Sequence, residues 1–167
     1  MYQSLLKKIE TGQTLLLDGA IGTQLQNMGV AMDNTAWAAE VLNSNPDVVL
    51  RMHQQYIETG VDIITTNTFS SARHNLQTIG LADETRELNH RAVTLAIEAR
   101  NNYQTDRPIA IAGSISHFGI MVDGEYGEAA HQHTTADAYP DLSQAQARQN
   151  IREQAEILVD SGVDFLL

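Results

Sequence analysis

Cysteine is absent from the 167 residues, which removes disulfides, thiol nucleophiles and thiolate metal sites together and fits a reducing compartment. Basic side chains are scarce as well, with 10 Lys and Arg against 21 Asp and Glu and a formal net charge of -11. No basic stripe is present to displace counterions from a phosphate backbone, which argues against a nucleic-acid partner. No window approaches the ~18 apolar residues of a membrane span. Met1 to Glu10 carries two lysines and lacks the unbroken apolar stretch of a secretory signal. These absences predict a soluble, cytoplasmic protein, and the length predicts one domain around one core.

Against that background, four short apolar or β-branched runs stand out: Thr14 to Leu17, Val61 to Thr66, Pro108 to Ala112 and Val163 to Leu167. Each is continuous rather than alternating, as expected of strands covered on both faces. Helical stretches separate them. Asn45-Pro46-Asp47 starts one, with Val48, Val49, Met52, Tyr56 and Ile57 at helical spacing and Gly60 as its stop. A second runs from Asp83 to Tyr103 with Leu88, Ala92, Leu95, Ala96 and Ala99 on one face. A third runs from Ser143 to Ser161 with Ala147, Ile151, Ala155 and Leu158, ending at Gly162. Two helices finish in nearly the same words, "YIETGVDIITT" and "LVDSGVDFLL", the junction of a repeating helix-to-strand unit.

Strand then helix, repeated, implies parallel pairing with right-handed crossovers, in an open doubly wound sheet or a (β/α)8 barrel. Either architecture gathers ligands at the carboxyl ends of the strands. Those ends read Asp18-Gly19, Thr66-Asn67-Thr68 and Gly113-Ser114. In Asp18-Gly19-Ala20-Ile21-Gly22-Thr23 the glycines allow close approach to the backbone. Turn amides suit a carboxylate and Asp18 suits an ammonium, so together they suit an amino acid. The same residues also fit an ordinary turn in which Asp18 caps the next helix. Thr65-Thr66-Asn67-Thr68-Phe69 offers hydrogen-bonding side chains and an aromatic wall, although threonine is also simply a good strand residue.

The stretches "LLLDGAIGTQL", "NTAWAAEVLNSNPDVVLRMHQQYIETGVDIITTNTF" and "IAGSIS" resemble the first half of the homocysteine S-methyltransferase family, in order and across essentially the whole chain. The resemblance implies a (β/α)8 TIM barrel, of which residues 1–167 would form about the first four β/α units, truncated in the fourth strand. It implies methyl transfer to the homocysteine thiol, giving methionine, as the activity of the complete barrel. The methyl donor would be S-methylmethionine, S-adenosylmethionine, betaine or a cobalamin or folate carrier. Asp18, Gly19 and Thr66 fall in the amino-acid site by this resemblance, with Asn67 and Phe69 as neighbours and Ser114 and His117 as further pocket candidates.

Family chemistry uses zinc held by three cysteines of the second half, to make the homocysteine thiolate. This chain carries none of them, and it ends before the glutamate that relatives place past the fourth strand. No catalytic residue and no cofactor are therefore expected within it. The alternative is a non-catalytic half-barrel that self-associates through its open sheet edges or binds a small amino acid.

Elsewhere, His131-Gln132-His133 with Asp123, Glu125 and Glu128 has ligand chemistry for a metal. The stretch from Phe118 to Leu142, however, reads as a long polar loop with solvated histidines, placed as a lid or donor-side wall. Trp37 and Glu40 read as packing at the barrel mouth. His53, His74 and His90 lie on helices among polar neighbours and are given no role.

Overall fold

A computed structural model describes residues 2–31, 36, 39–103, 107–122 and 140–167, and the backbone of 125 and 126. Helix α1 (Tyr2–Glu10) leads into the first strand segment, followed by α2 (Ile21–Asn27), α3 (Val41–Ser44) and α4 (Pro46–Glu58). Then come β1 (Ile63–Thr65), α5 (Arg73–Gln77), a 3-10 turn (Ala82–Glu84), α6 (Thr85–Asn102) and β2 (Ala110–Gly113). Strands β3 (Met121–Val122), β4 (Glu125–Tyr126) and β5 (Asp141–Leu142) precede α7 (Gln144–Ser161) and β6 (Phe165–Leu166).

The main sheet is parallel and runs in chain order, β1 to β2 to β6, with Leu17 bridged to Ile63 on the outer side of β1. Sheet alternation sorts its side chains. Ile64 and Ile111 point to one face and pack with Ile57, Val61, Ala96, Ala99 and Ile109 beneath α4 and α6. Ile63, Ala110 and Ala112 point to the other and meet Leu5 of α1, with Leu15 and Phe165 alongside. Each fully buried isoleucine contributes roughly 1.5–3 kcal/mol by leaving water. The remaining apolar cluster, including Leu25, Val49, Met52, Leu76, Leu88 and Ala92, locks α2, α4, α5 and α6 together.

The three long helices form over the expected stretches. Pro46 begins α4, and Gly60 follows it at φ 98°. Ser143 caps α7 by accepting from Gln146 N–H in a capping box, and Gly162 ends it, also at φ 98°. The buried face of α7 is rotated from the expected one: Asn150 and Gln154 are buried with Ala147, Ile157 and Leu158, while Ile151 and Ala155 are half-buried.

Two expectations need correction. Thr14 to Leu17 forms an isolated bridge rather than a continuous strand, because the Asp62 side chain takes the Leu16 N–H, the Asp18 side chain takes the Thr65 N–H of the facing strand, and Leu16 and Leu17 lie exposed at the sheet edge. The expected loop from Phe118 to Leu142 contains a small sheet, with β3 antiparallel to β4 and parallel to β5, anchored by buried Met121 and Leu142. His53 and His74, which lie on helices, are fully buried.

The repeated Gly-Val-Asp words do the same work twice. Asp62 N–H donates to Leu16 O at 2.8 Å, and Asp62 Oδ2 accepts Leu16 N–H at 3.0 Å. Asp164 N–H donates to Ile111 O at 2.8 Å, and Asp164 Oδ2 accepts Ile111 N–H at 2.9 Å. Each aspartate thereby ties the start of its strand to the strand before it, and each has a cation: Lys8 Nζ at 2.7 Å from Asp62, and Arg100 at 3.3 Å from Asp164. Arg107 adds a second cation 3.9 Å from Asp62 and donates to Val61 O.

Candidate functional site

At the opposite rim, the carboxyl ends of the strands, Asp18 ties itself to the next strand by a related pair of bonds, to Ile63 and Thr65. Its backbone N–H donates to Ile63 O at 3.0 Å. Oδ2 accepts Thr65 N–H at 2.7 Å, and the Thr65 hydroxyl donates to Oδ1 and Oδ2 at 3.0 and 3.2 Å. No ion pair to Asp18 occurs among the described residues. Burial pushes the carboxyl up from 3.8 to about 6, against the lowering effect of the Thr65 hydrogen bonds. Lys8 and Leu16 N–H, in contrast, hold Asp62 below its ordinary value despite its burial. Asp18 is not a helix cap: Ala20 occupies that position in α2 and makes no side-chain capping bond.

Gly19 and Ala20 are exposed beside this carboxylate, and neither backbone N–H donates to another described residue. The Tyr56 hydroxyl, reaching up from α4, donates to Ala20 O at 3.3 Å. Among the described residues the rim therefore presents a negative group with no cation and two open amide donors within one turn, an arrangement matched to a zwitterion.

Thr66 plays a different part from its neighbour. Ser114 N–H donates to Thr66 Oγ1 at 3.1 Å, the Thr66 and Thr68 hydroxyls lie 2.7 Å apart, and Thr68 Oγ1 donates to Ser114 O at 2.7 Å. Because Thr68 gives its proton to a carbonyl, Thr66 donates to Thr68, and the ring closes on Ser114. Thr66 is fully buried in this lock between β1 and β2, so Thr65 is the threonine that meets Asp18. Asn67 is buried, Phe69 is 43% exposed with its ring 5.8 Å from that of Phe118, Ser114 is half-buried in the lock, and His117 is exposed. The structure thus brings Asp18 and Gly19 together, sets Phe69 in an aromatic pair, and leaves His117 at the surface.

Helix α7 holds the loop after β1 in place. Gln154 Nε2 donates to Thr68 O at 2.7 Å, near Ser71 and Asn89, whose side chains are themselves bonded at 2.7 Å. Arg73 grips Glu153 through two bonds of 2.8 and 2.6 Å and donates to Ala82 O at 2.8 Å. Sequence reasoning gave no site role to Tyr56, Phe118 or Gln154, and it named Thr65 only as one of a run of hydrogen-bonding residues.

His53 has no hydrogen-bond partner on either ring nitrogen among the described residues, and burial pushes it down from 6.5 to about 4. His74 donates from Nε2 to Phe118 O at 2.9 Å, and its burial lowers its pKa. Val49 and Ile57, four residues to either side of His53, are the apolar signal that it faces the core. Both rings are neutral packing elements near neutral pH.

Trp37, Asp123, Glu128, His131, Gln132 and His133, and the Glu125 side chain, lie outside the described residues, and Glu40 is exposed. Among the described residues no three His, Cys, Asp or Glu side chains form a metal-binding group, and the chain has no cysteine. These residues do not fit a zinc site of the thiolate kind.

Comparison with known proteins agrees with the parallel fold. A family model described as Homocysteine S-methyltransferase matches residues 15–167. The chain is 30% identical to a selenocysteine methyltransferase of Astragalus bisulcatus, covering 94% of this chain and 50% of that one. It is 28% identical to homocysteine S-methyltransferase 1 of Arabidopsis thaliana, covering 99% and 52%. The homocysteine methyltransferase MmuM of Escherichia coli superposes in its oxidized form with a TM-score of 0.72 at 27% identity, over 91% of this chain and 51% of that one. Its metallated form superposes at 0.73 with 25% identity, over 98% and 55%. The chain spans about half the length of the curated relatives it matches. This chain belongs to the homocysteine S-methyltransferase family.

Proposed function

We propose that residues 1–167 are the first four β/α units of a (β/α)8 barrel, and that they grip the amino-acid end of homocysteine in a homocysteine S-methyltransferase. The observation that carries this reading is Asp18: it ties strand to strand as Asp62 and Asp164 do, through its N–H to Ile63 O and its Oδ2 to Thr65 N–H, yet among the described residues it meets no cation, and each of those does. A substrate ammonium supplies that missing charge, while the open N–H groups of Gly19 and Ala20 receive the carboxylate. Thr65 orients Asp18, the Thr66–Thr68–Ser114 lock holds the strand ends, and the Phe69–Phe118 pair walls the thioalkyl chain.

The overall reaction moves a methyl group to the homocysteine sulfur: a sulfur–carbon bond forms, the donor's bond to that carbon breaks, and the thiol proton is lost. Activation at sulfur belongs to groups that this cysteine-free chain does not carry. S-Methylmethionine heads the donor classes by family, and a cytoplasmic setting suits the cysteine-free composition. No helix among the described residues is long and apolar enough to cross a membrane.

A second reading, a non-catalytic half-barrel that pairs with another copy, is favoured by the exposed Leu16, Leu17, Leu166 and Leu167 at the two sheet edges. The test is calorimetric titration of the purified chain with L-homocysteine, alongside a methionine-formation assay with S-methylmethionine and zinc. The expected result is binding without turnover. Absence of binding would overturn the amino-acid grip, and zinc-dependent turnover would overturn the division of labour.

A further inference from the structure

Gly19 is a glycine for reasons of room rather than conformation. Its φ is not in the left-handed region that makes Gly60 or Gly162 glycines. A Cβ at residue 19 would instead lie 3.0 Å from Tyr56 Oη and 3.3 Å from Cε1. The tyrosine ring is thus laid directly against the turn that carries Asp18. Its hydroxyl donates to Ala20 O at 3.3 Å, so ring and hydroxyl touch two consecutive residues of that turn. Burial, with the Asp18 charge as a second cause, raises the Tyr56 hydroxyl above 10, so it remains a donor at neutral pH.

Tyr56 packs its ring against the two apolar clusters that flank α4, but its burial is incomplete. Its neighbours on the buried side of α4, Val49, Met52, His53 and Ile57, are all fully covered, while Tyr56 is only half-buried and its polar tip ends at the rim. A phenylalanine would fill the same space against the partly buried face. The hydroxyl adds only a contact to the substrate turn.

We propose that Tyr56 is a positioning residue for the amino-acid grip: it fixes the Asp18-Gly19-Ala20 turn in the placement where carboxylate and amides face one ligand. Gly19 is the complementary feature, because only a residue without Cβ lets the ring approach. This rests on the reading of Asp18 as the ammonium site, and it names a determinant of affinity within that site on a helix outside the strand-end motifs.

The test is a double-mutant cycle on the full chain, with Tyr56→Phe, Gly19→Ala and the double variant titrated with L-homocysteine, and thermal melting as the folding control. Tyr56→Phe is expected to weaken binding about three- to tenfold, the range of one lost hydrogen bond. Gly19→Ala is expected to weaken it more than tenfold beside Tyr56 and distinctly less beside Phe, because the nearest clashing atom, Oη, is then gone. Helix packing alone would give additive effects, and additivity, or an unchanged affinity in Tyr56→Phe, would overturn the proposal. Should Tyr56→Phe fail to fold, Gly19→Ala decides, since unchanged affinity there equally contradicts it. If the wild type itself does not bind L-homocysteine, the reading of Asp18 fails and this inference falls with it. Binding by the wild type with an additive cycle sinks the inference alone.

Discussion

At the amino-terminal rim of the sheet, Asp62 and Asp164 each exchange two hydrogen bonds with one residue of the preceding strand and sit beside Lys8 or Arg100. Across the sheet at the carboxyl rim, Asp18 bonds to both N–H and hydroxyl of Thr65 and meets no cation among the described residues. The chemistry of the side chain is the same, and the counter-charge differs. A buried carboxylate with its partner ties the structure, whereas one left without a partner holds an unmet electrostatic demand that a ligand can meet. The lower rim is therefore built for stability, and on the proposed reading the upper rim gives up some of it for binding.

The comparison breaks most severely if the lower rim is cut. Asp62→Ala removes the acceptor for Leu16 N–H and leaves Lys8 and Arg107 facing one another, and a loss of about 2–4 kcal/mol in urea unfolding is expected. At the upper rim, Asp18→Asn keeps an acceptor for Thr65 N–H and removes a buried charge. Stability should change by less than about 1 kcal/mol at pH 7, while L-homocysteine binding falls more than about tenfold. A loss of stability as large as that of Asp62→Ala would erase the distinction between the rims.

Acidity sharpens the same contrast. The folded-state pKa of Asp18, about 6, stands above its ordinary 3.8, so the folded chain takes up this proton first and gains stability as pH falls through 6 towards 4. Any advantage of Asp18→Asn over the wild type at pH 7 should therefore shrink to nothing near pH 4 in paired melting curves. His53 acts in the opposite sense. With its pKa lowered from 6.5 to about 4, its contribution is complete above 6.5 and is lost as pH falls through 4. The smallest effect is expected at the exposed Glu87–Arg91 pair, where Glu87→Gln should cost no more than about 0.5 kcal/mol.

Much of this division was legible in the residues. Pro46 and Gly60, and Ser143 and Gly162, bracket α4 and α7 because caps and left-handed stops are local chemistry. The repeated Gly-Val-Asp marked two equivalent junctions, though its purpose, a carboxylate reaching the preceding strand, is a long-range contact that the words do not contain. Asp18 and Gly19 were legible as a polar turn at a strand end for the same local reason. Thr65 and Thr66 were not separable, because in a run of threonines a one-residue change of face exchanges the residue that meets Asp18 for the buried lock. Gln154 and His53 were given no part, because only the assembled helices place them inside.

The most direct test follows the Asp18 carboxyl by carbon NMR through a pH titration, with and without L-homocysteine and with 4-sulfanylbutanoate, which lacks the amino group. An ammonium beside the carboxylate must lower its pKa. The account predicts a midpoint near 6 in the free protein that moves down with L-homocysteine and stays in place with the des-amino compound. A midpoint that L-homocysteine leaves unmoved at saturation, or that both compounds shift alike, would contradict the assignment of Asp18 as the ammonium site.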